Sequence, residues 1–427
     1  MKAVVTVAGE GVRLRPLTST RPKHLLPIGG RPLLTHILNA LKRGGFGEVL
    51  LVVGYRGERI REAFGDGSSF GLKLSYVRQR GAYGTGRAVT FAKKFAGGRP
   101  FLLIYGDLYV EPRALGRVVK AFRRRRSEAL MGVVEVENPQ DCGVVKLDRG
   151  GGVLDLVEKP TRPPSKLANA GIYILTSSIF DELGRARKSP RGEVELTAAL
   201  LMLAKRTREV YAVRLRAGEC LDVGKPWDLL IANERCLRGV KAKVEGQVDR
   251  GARLVGPVVV EAEARVMSGA YIEGPVFIGG GSQVGPNCYI RPCTSLGRNV
   301  RVGNGCEVKN SIIMDGSKVP HLSYVGDSFI GENCNLGAGT VTANIRFDKR
   351  TVRVMVGGKL VDSERRKLGA FLGDGVQTGI NVNLMPGVKV GSNSFIGAGV
   401  TVYRDVSSNA KVTLRQQLIF EKLKSEG

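Results

Sequence analysis

The chain has 427 residues, too many for one ordinary hydrophobic core, so two domains are expected. Its 66 Lys and Arg against 39 Asp and Glu give a formal charge of +27, which fits acidic small molecules such as nucleotides and sugar phosphates; the bases are spread along the chain without a nucleic-acid-binding motif, so no nucleic acid is expected. No apolar run approaches membrane-spanning length, Met1-Lys2-Ala3-Val4 reads as the start of a strand rather than a signal peptide, and seven cysteines without a Cys-x-x-Cys pair argue against a disulfide framework or a zinc site, so a cytoplasmic protein with no membrane partner is expected.

Taken in order, Lys2–Val7, Glu48–Val53, Lys73–Val77 and Phe101–Tyr105 read as strands, and Pro32–Arg43, Gly86–Phe95 and Pro112–Arg125 as amphipathic helices. The run Arg123–Arg126 reads as the solvated end of the last of these helices. Such alternation predicts an α/β domain over 1–238 with a mostly parallel sheet, whose ligands sit at the carboxyl ends of the strands. Residues 239–252 look like a linker.

From Leu254 to Val308 every sixth residue is apolar: Leu254, Val260, Val266, Ile272, Ile278, Val284, Ile290, Leu296, Val302 and Val308. Neither a helix nor a flat strand has that period; three short strands per coil of a parallel β-helix do. Gly often follows the apolar residue, as in Ile278-Gly279 and Val284-Gly285. The period resumes at Leu372, Thr378, Leu384, Val390, Ile396 and Val402, with Thr378 the polar member. The β-helix domain is therefore placed at 253–410, with two breaks at about Lys309–Tyr324 and Ala343–Phe371 where loops are expected to leave the coil. In the tail 411–427, Leu414 with Leu418 and Ile419 with Leu423 stand four apart and predict a short amphipathic helix.

The first strand leads into Val7-Ala8-Gly9-Glu10-Gly11-Val12-Arg13-Leu14-Arg15-Pro16-Leu17-Thr18, then Arg21-Pro22-Lys23. A glycine-rich turn between strand and helix lets backbone N–H groups approach phosphates. With Arg13 and Pro22-Lys23 added, the stretch resembles the opening of the sugar-1-phosphate nucleotidylyltransferases. Gln79 with Gly84-Thr85-Gly86, Tyr105-Gly106-Asp107, Gly143, Glu158-Lys159-Pro160, Asn169-Ala170-Gly171 and Leu221-Asp222-Val223-Gly224-Lys225-Pro226 follow in that family's order. The resemblance implies a Rossmann-like domain in which Asp107 and Asp222 hold Mg²⁺, and Arg13 and Lys23 act on the triphosphate. It further implies that Ala8, Gly9, Gly11, Gln79, Gly84 and Thr85 bind the nucleotide, while Gly143, Glu158, Lys159 and Asn169 bind the sugar phosphate. Cys220 stands where the family often has an aromatic residue, and Thr6-Val7-Ala8-Gly9 where it has Leu-Ala-Ala-Gly, so UTP and dTTP are not separated.

Of three histidines, His24 in the first loop and His36 on a helix read as surface or packing residues. His321 lies in Val319-Pro320-His321-Leu322-Ser323-Tyr324, followed by Asn335-Leu336-Gly337-Ala338-Gly339-Thr340 and Asn344. This combination resembles the acetyltransferase half of the bifunctional uridylyltransferase/glucosamine-1-phosphate acetyltransferases, the archaeal type above all. The resemblance implies a left-handed β-helix and a trimer with sites between subunits. It makes His321 the general base for attack of a sugar amine on acetyl-CoA, with Arg291, Lys309, Tyr324 and Asn335 on the acceptor and Ala338, Asn344, Ala398 and Arg415 at the CoA. Lys349, Arg350 and Arg353 are either further CoA-phosphate contacts or a solvated basic loop. Asp374 stands where the bacterial type has a CoA-contacting Ser, and Ile345 where it has Tyr.

The expected function is thus acetylation of glucosamine or galactosamine 1-phosphate, then uridylyl transfer from UTP to give UDP-N-acetylglucosamine. The alternative is a monofunctional glucose-1-phosphate uridylyl- or thymidylyltransferase on an inert β-helix. A regulatory subunit of the same layout, as among translation-initiation factors, would not need Arg13, Lys23, Asp107 and Asp222.

Overall fold

The structure, a computed structural model, describes residues 1–79, 84–189 and 192–421. It divides into two compact units, Met1–Leu14 with Thr20–Arg235, and Cys236–Gly427 with Arg15–Ser19.

In the first unit the strands Lys2–Val7, Glu48–Val53, Lys73–Arg78 and Phe101–Tyr105 pair in parallel, in the order Phe101, Lys2, Glu48, Lys73 by first residue. The antiparallel strand Leu167–Leu175 extends the sheet beyond Phe101–Tyr105 and carries Gly143–Leu147 and Ala129–Glu135 beside it. Both faces are covered: Ala3, Val5 and Val7 enter one apolar cluster, Val4, Leu50 and Val52 the other. That two-sided burial is why these strands read as unbroken apolar runs. The helices Leu33–Arg43 and Pro112–Arg124 lie within two residues of their expected bounds, whereas the third expected helix is split into Gly84–Thr90 and Ala92–Ala96. Arg125 is not merely solvated: its guanidinium lies 4.3 Å over the Tyr211 ring and donates to the Gly150 carbonyl (2.8 Å).

The second unit is a left-handed parallel β-helix of three stacked sheets. The hexad residues sort into the three sheets by register, Val260 on Ile278 on Leu296, Val266 on Val284 on Val302, and Leu254 on Ile272 on Ile290. Nearly all are fully buried in one continuous core.

Three expectations need correction. Residues 239–252 are not a plain linker: Lys243–Val244 and Gln247–Val248 pair in parallel with Val258–Val260 and Arg265–Val266, so the β-helix begins at Lys243. Lys309–Tyr324 is not an ejected loop. The coil continues there one residue shorter, pairing Leu296 with Ile313, Val302 with Val319 and Val308 with Val325. The second break is real: the chain leaves the coil after Thr342, forms the hairpin Arg353–Val356 and Lys359–Asp362, and returns at Phe371–Leu372. The tail helix is not seen over residues 413–421, which follow the strand Lys411–Val412 without regular structure; Leu423 lies outside the described residues. Among the described residues no helix is long and apolar enough to cross a membrane.

Candidate active sites

The first site forms where the parallel strands end. The chain leaves Lys2–Val7 through Ala8, Gly9 and Gly11, the last at φ 69°. The Ala8 carbonyl accepts from the Tyr55 amide (3.1 Å), and a Cβ at Gly54 would lie 2.5 Å from that oxygen, so glycine there lets two strand ends close together. Lys23 forms an ion pair and hydrogen bond with Asp107 at the end of Phe101–Tyr105. Asp222 is delivered by Cys220–Asp222, which pairs with Leu108–Val110 so that the Val223 amide donates to the Asp107 carbonyl (2.9 Å). A Cβ at Gly224 would meet Arg13 Nη2 at 2.8 Å and Asp222 Oδ2 at 3.2 Å, so the bare glycine leaves the space that both side chains border. Arg13, Lys23, Asp107 and Asp222 thus converge from four separate segments.

Their electrostatics follow from burial and crowding. Burial pushes the Asp107 carboxyl up, but the charge of Lys23 and its hydrogen bond hold it below its usual value. Burial and then the charge of Asp107 push Asp222 up to about 6. Two carboxylates that oppose each other's ionisation, with two cations at their edge, are a donor set suited to a divalent metal and phosphate oxygens. Among the described residues no group of three His, Cys, Asp or Glu forms a metal site, so any metal here would be completed by substrate or water.

Beside this centre is a cavity of about 650 Å³ lined by Ala8, Gly9, Gln79, Gly84, Thr85 and Asp107, among others. Gln79 is buried, and among the described residues its Oε1 has no hydrogen-bond partner. Gly84, at φ 78°, could not carry a Cβ, which would lie 2.7 Å from the Val194 carbonyl. The Thr85 hydroxyl accepts from the Leu196 amide (3.2 Å). A second group gathers on the neighbouring strands: a Gly143 Cβ would be 2.8 Å from Glu158 Oε2 and 3.7 Å from the Asn169 Cβ. Asn169 donates to Tyr173, whose hydroxyl bonds Tyr105 (3.1 Å), and Lys159 stands exposed at φ 47°.

Sequence reasoning gave two residues here no role. His24, read as a surface or packing residue, is a packing one: it is buried beside Asp107, and burial followed by the charge of Lys23 lowers its pKa to about 3. Asp228 accepts from the Gly224 (3.0 Å) and Lys225 (2.7 Å) amides and shapes the loop after Asp222. Its place in the first turn of Pro226–Arg238 was the available signal. His36 packs against Tyr109 and bonds the Ile28 carbonyl (2.9 Å). Cys220 is turned to the Ala170 carbonyl (3.5 Å), with its thiol pushed up to about 12 by burial.

The second site lies on two sheets of the β-helix. His321 ends the strand Lys318–His321 and is exposed. The register pairs Lys318 with Asn335, Asn335 with Gln377 and Gln377 with Phe395, so Ala338, Ile380 and Ala398 follow His321 on successive coils of one corner. Around the next corner, Tyr324 Oη accepts from Asn344 Nδ2 (3.0 Å), and Asn344 also donates to Asp327 Oδ2 (2.6 Å). Lys309 lies 3.4 Å from the same carboxylate, and Arg291 is paired with Glu307 (2.8 Å). Lys309 and Tyr324, expected on the acceptor, and Asn344, expected at the CoA, are therefore in one network, while His321 and Asn335 face outward on the adjoining sheet. Asp374 is tied down, accepting from the Glu332 amide (2.8 Å), and so closes a corner of the coil. Arg415 lies exposed in the irregular tail, and Lys349, Arg350 and Arg353 in the ejected loop.

Comparison with known proteins agrees along both units. Residues 2–239 match the nucleotidyl transferase family, 272–379 the GMPPB C-terminal domain and 369–404 the bacterial transferase hexapeptide repeats. The chain is 44% identical over 424 residues to the bifunctional protein GlmU of Methanocaldococcus jannaschii, covering 99% of this chain and 100% of that one. It is 43% identical over 410 residues to the bifunctional sugar-1-phosphate nucleotidylyltransferase/acetyltransferase of Sulfurisphaera tokodaii, covering 95% and 98%. A solved structure described as a glucose-1-phosphate thymidylyltransferase from Bacillus anthracis is 27% identical with a TM-score of 0.52, covering 57% of this chain and 97% of that one. A nucleotidyltransferase unit followed by a hexapeptide acyltransferase unit is the class these features define. The chain belongs to the GlmU family of bifunctional sugar-1-phosphate nucleotidylyltransferase/acetyltransferases. It is an enzyme with both transferase activities, and the monofunctional alternative is the less supported reading.

Proposed function

We propose that the second unit acetylates glucosamine 1-phosphate from acetyl-CoA and that the first joins the product to UTP, giving UDP-N-acetylglucosamine and pyrophosphate. The observation that carries this reading is the convergence of Arg13, Lys23, Asp107 and Asp222 beside a nucleotide-sized cavity. In the transfer, a sugar phosphate oxygen attacks the α-phosphorus in line with the departing pyrophosphate, a reaction governed by positioning and charge neutralisation. Arg13 holds the β,γ-phosphates through its planar fork, and Lys23 steadies charge at the α-phosphate. Asp107 and Asp222 would hold Mg²⁺, which supplies further charge neutralisation when bound. The Oε1 of buried Gln79, without a partner among the described residues, suits the N–H of a pyrimidine edge. Gly143, Glu158, Lys159 and Asn169 hold the sugar phosphate.

In the acetyl transfer, the amine nitrogen attacks the thioester carbonyl, the carbon–sulfur bond breaks, and CoA leaves as the thiol. His321 takes the amine proton, imidazole being the side chain that titrates near neutral pH. Arg291 and Lys309 take the acceptor's phosphate, Tyr324 and Asn335 its hydroxyl and amine side. Ala338 and Ala398 leave open the corner along which CoA lies, with Asn344 and Arg415 at its edges. Assembly as a homotrimer would complete these sites, and the use of UTP and acetyl-CoA fits a cytoplasmic enzyme.

The test is sequential. Purified protein is given acetyl-CoA and glucosamine 1-phosphate, and free thiol is followed; UTP and Mg²⁺ are then added and the product is weighed. Thiol release followed by UDP-N-acetylhexosamine is expected. No thiol with any amino-sugar phosphate, but UDP-glucose from glucose 1-phosphate, would return the monofunctional reading.

A further inference from the structure

Asp327 has no part in the chemistry described above, yet side chains of four other residues meet its carboxylate. It sits at a corner of the β-helix in the left-handed region, φ 49°, a conformation that Asp and Asn tolerate better than other side chains. Its side chain is only 3% exposed. Oδ1 accepts from Asn310 Nδ2 (2.8 Å) and lies 3.9 Å from Arg365; Oδ2 accepts from Asn344 Nδ2 (2.6 Å) and faces Lys309 (3.4 Å). Asn344 passes the connection on to the Tyr324 hydroxyl (3.0 Å). A carboxylate buried this deeply is tolerable only when paired, and it holds its partners in one geometry as firmly as they hold it.

We propose that Asp327 is the positioning residue of the acetyl-acceptor site. One buried carboxylate fixes Lys309, which meets the acceptor's phosphate, and through Asn344 fixes Tyr324, which meets its hydroxyl side. Arg365 joins the same group from the ejected loop. One negative charge is set against two cations here, so the pocket keeps positive charge for a phosphate while neither cation swings free. The inference rests on the acetyltransferase reading above.

The experiment uses the full chain, with thiol release measured against glucosamine 1-phosphate and against acetyl-CoA separately, and nucleotidyl transfer as the internal control. In Asp327→Asn the ion pairs are lost and an amide donor is set against the Asn344 donor. The expected result is a KM for glucosamine 1-phosphate raised tenfold or more, a clearly smaller rise in the KM for acetyl-CoA through Asn344, and nucleotidyl transfer within about twofold of wild type. Lys309→Met combined with Asp327→Asn is expected to raise that KM by less than the product of the two separate changes, because part of each loss is the Lys309–Asp327 pair they share. Asn310→Gly keeps the left-handed backbone and removes one donor to Asp327; it is expected to raise the same KM about threefold. If Asp327→Asn does not give a folded second unit, Asn310→Gly decides the matter. An unchanged acceptor KM in a folded variant, or equal losses for both substrates, overturns the positioning role. Wild-type protein that releases no thiol at all would instead overturn the acetyltransferase reading, a result separable from any effect of Asp327.

Discussion

His24 shows how much a single position can hide. In the sequence it is one histidine in a loop after Pro22-Lys23, and nothing in its neighbours says whether it meets water. In the fold it is buried beside Asp107, and its pKa falls from 6.5 to about 3. The consequence for stability has a definite sign. Above pH 6.5 the ring is neutral in both folded and unfolded chains. Below it the unfolded chain takes a proton that the folded chain refuses until about pH 3, so stability is lost as pH falls through that window. Between pH 7 and pH 5 this one group costs about 2 kcal/mol. His24→Gln is therefore expected to be less acid-sensitive than wild type over that interval. Trp227, the sole tryptophan, is buried in the first unit and gives the fluorescence signal for denaturant midpoints. Equal losses in the two proteins would contradict a buried neutral imidazole. Arg13, Lys23, Asp107 and Asp222 were picked out by the family resemblance of the segments that carry them, and the fold brings the four together; His24 and Asp327 left no such mark, because burial by distant segments is not written locally.

At the level of elements, periodicity carried most of the information. Hexads mark the inward residue of each short strand, and every one from Leu254 to Val308 faces inward in its sheet. The error at Lys309–Tyr324 has a physical origin: a coil can drop one residue at a corner without leaving the sheets, and here Asn310 and Asp327 take the corners at φ 45° and 49°. A strict period of six sees that shortening as a break. The glycines that follow the hexad residue are explained by stacking. A Cβ on Gly279 would lie 2.4 Å from the Gly297 carbonyl oxygen of the next coil, and one on Gly373 would meet Ser392. Backbone cannot yield as a side-chain tip can, so Gly279→Ala is expected to destabilise the second unit by about 1–3 kcal/mol, as overpacked sites do. The denaturation midpoint of the second unit, followed by far-ultraviolet circular dichroism, checks this. An unchanged midpoint would mean that the coils are not held as closely as this register requires.

For the whole molecule, the division into two units makes a claim about function that neither site makes alone. The residues proposed for nucleotidyl transfer all fall within Met1–Leu14 and Thr20–Arg235, and those proposed for acetyl transfer all within Cys236–Gly427. Each set is held by its own core, three stacked sheets for one and a two-faced sheet for the other. Damage to one reactive centre should therefore leave the other working. Asp222→Ala removes one of the two carboxylates proposed to hold Mg²⁺ and is expected to lower nucleotidyl transfer by about 10³-fold or more, on the order of 4 kcal/mol of transition-state stabilisation, with acetyl transfer within about twofold of wild type. His321→Ala is expected to lower acetyl transfer by about 10²-fold or more and leave nucleotidyl transfer from UTP to ready-made N-acetylglucosamine 1-phosphate intact. The second substrate matters, because with glucosamine 1-phosphate as the only sugar the His321 variant would starve the first site and imitate a coupled loss. Loss of both activities in either folded variant, each assayed with its own substrate, would mean that the units do not act independently, and the order of reactions would then have to be sought in a single shared site.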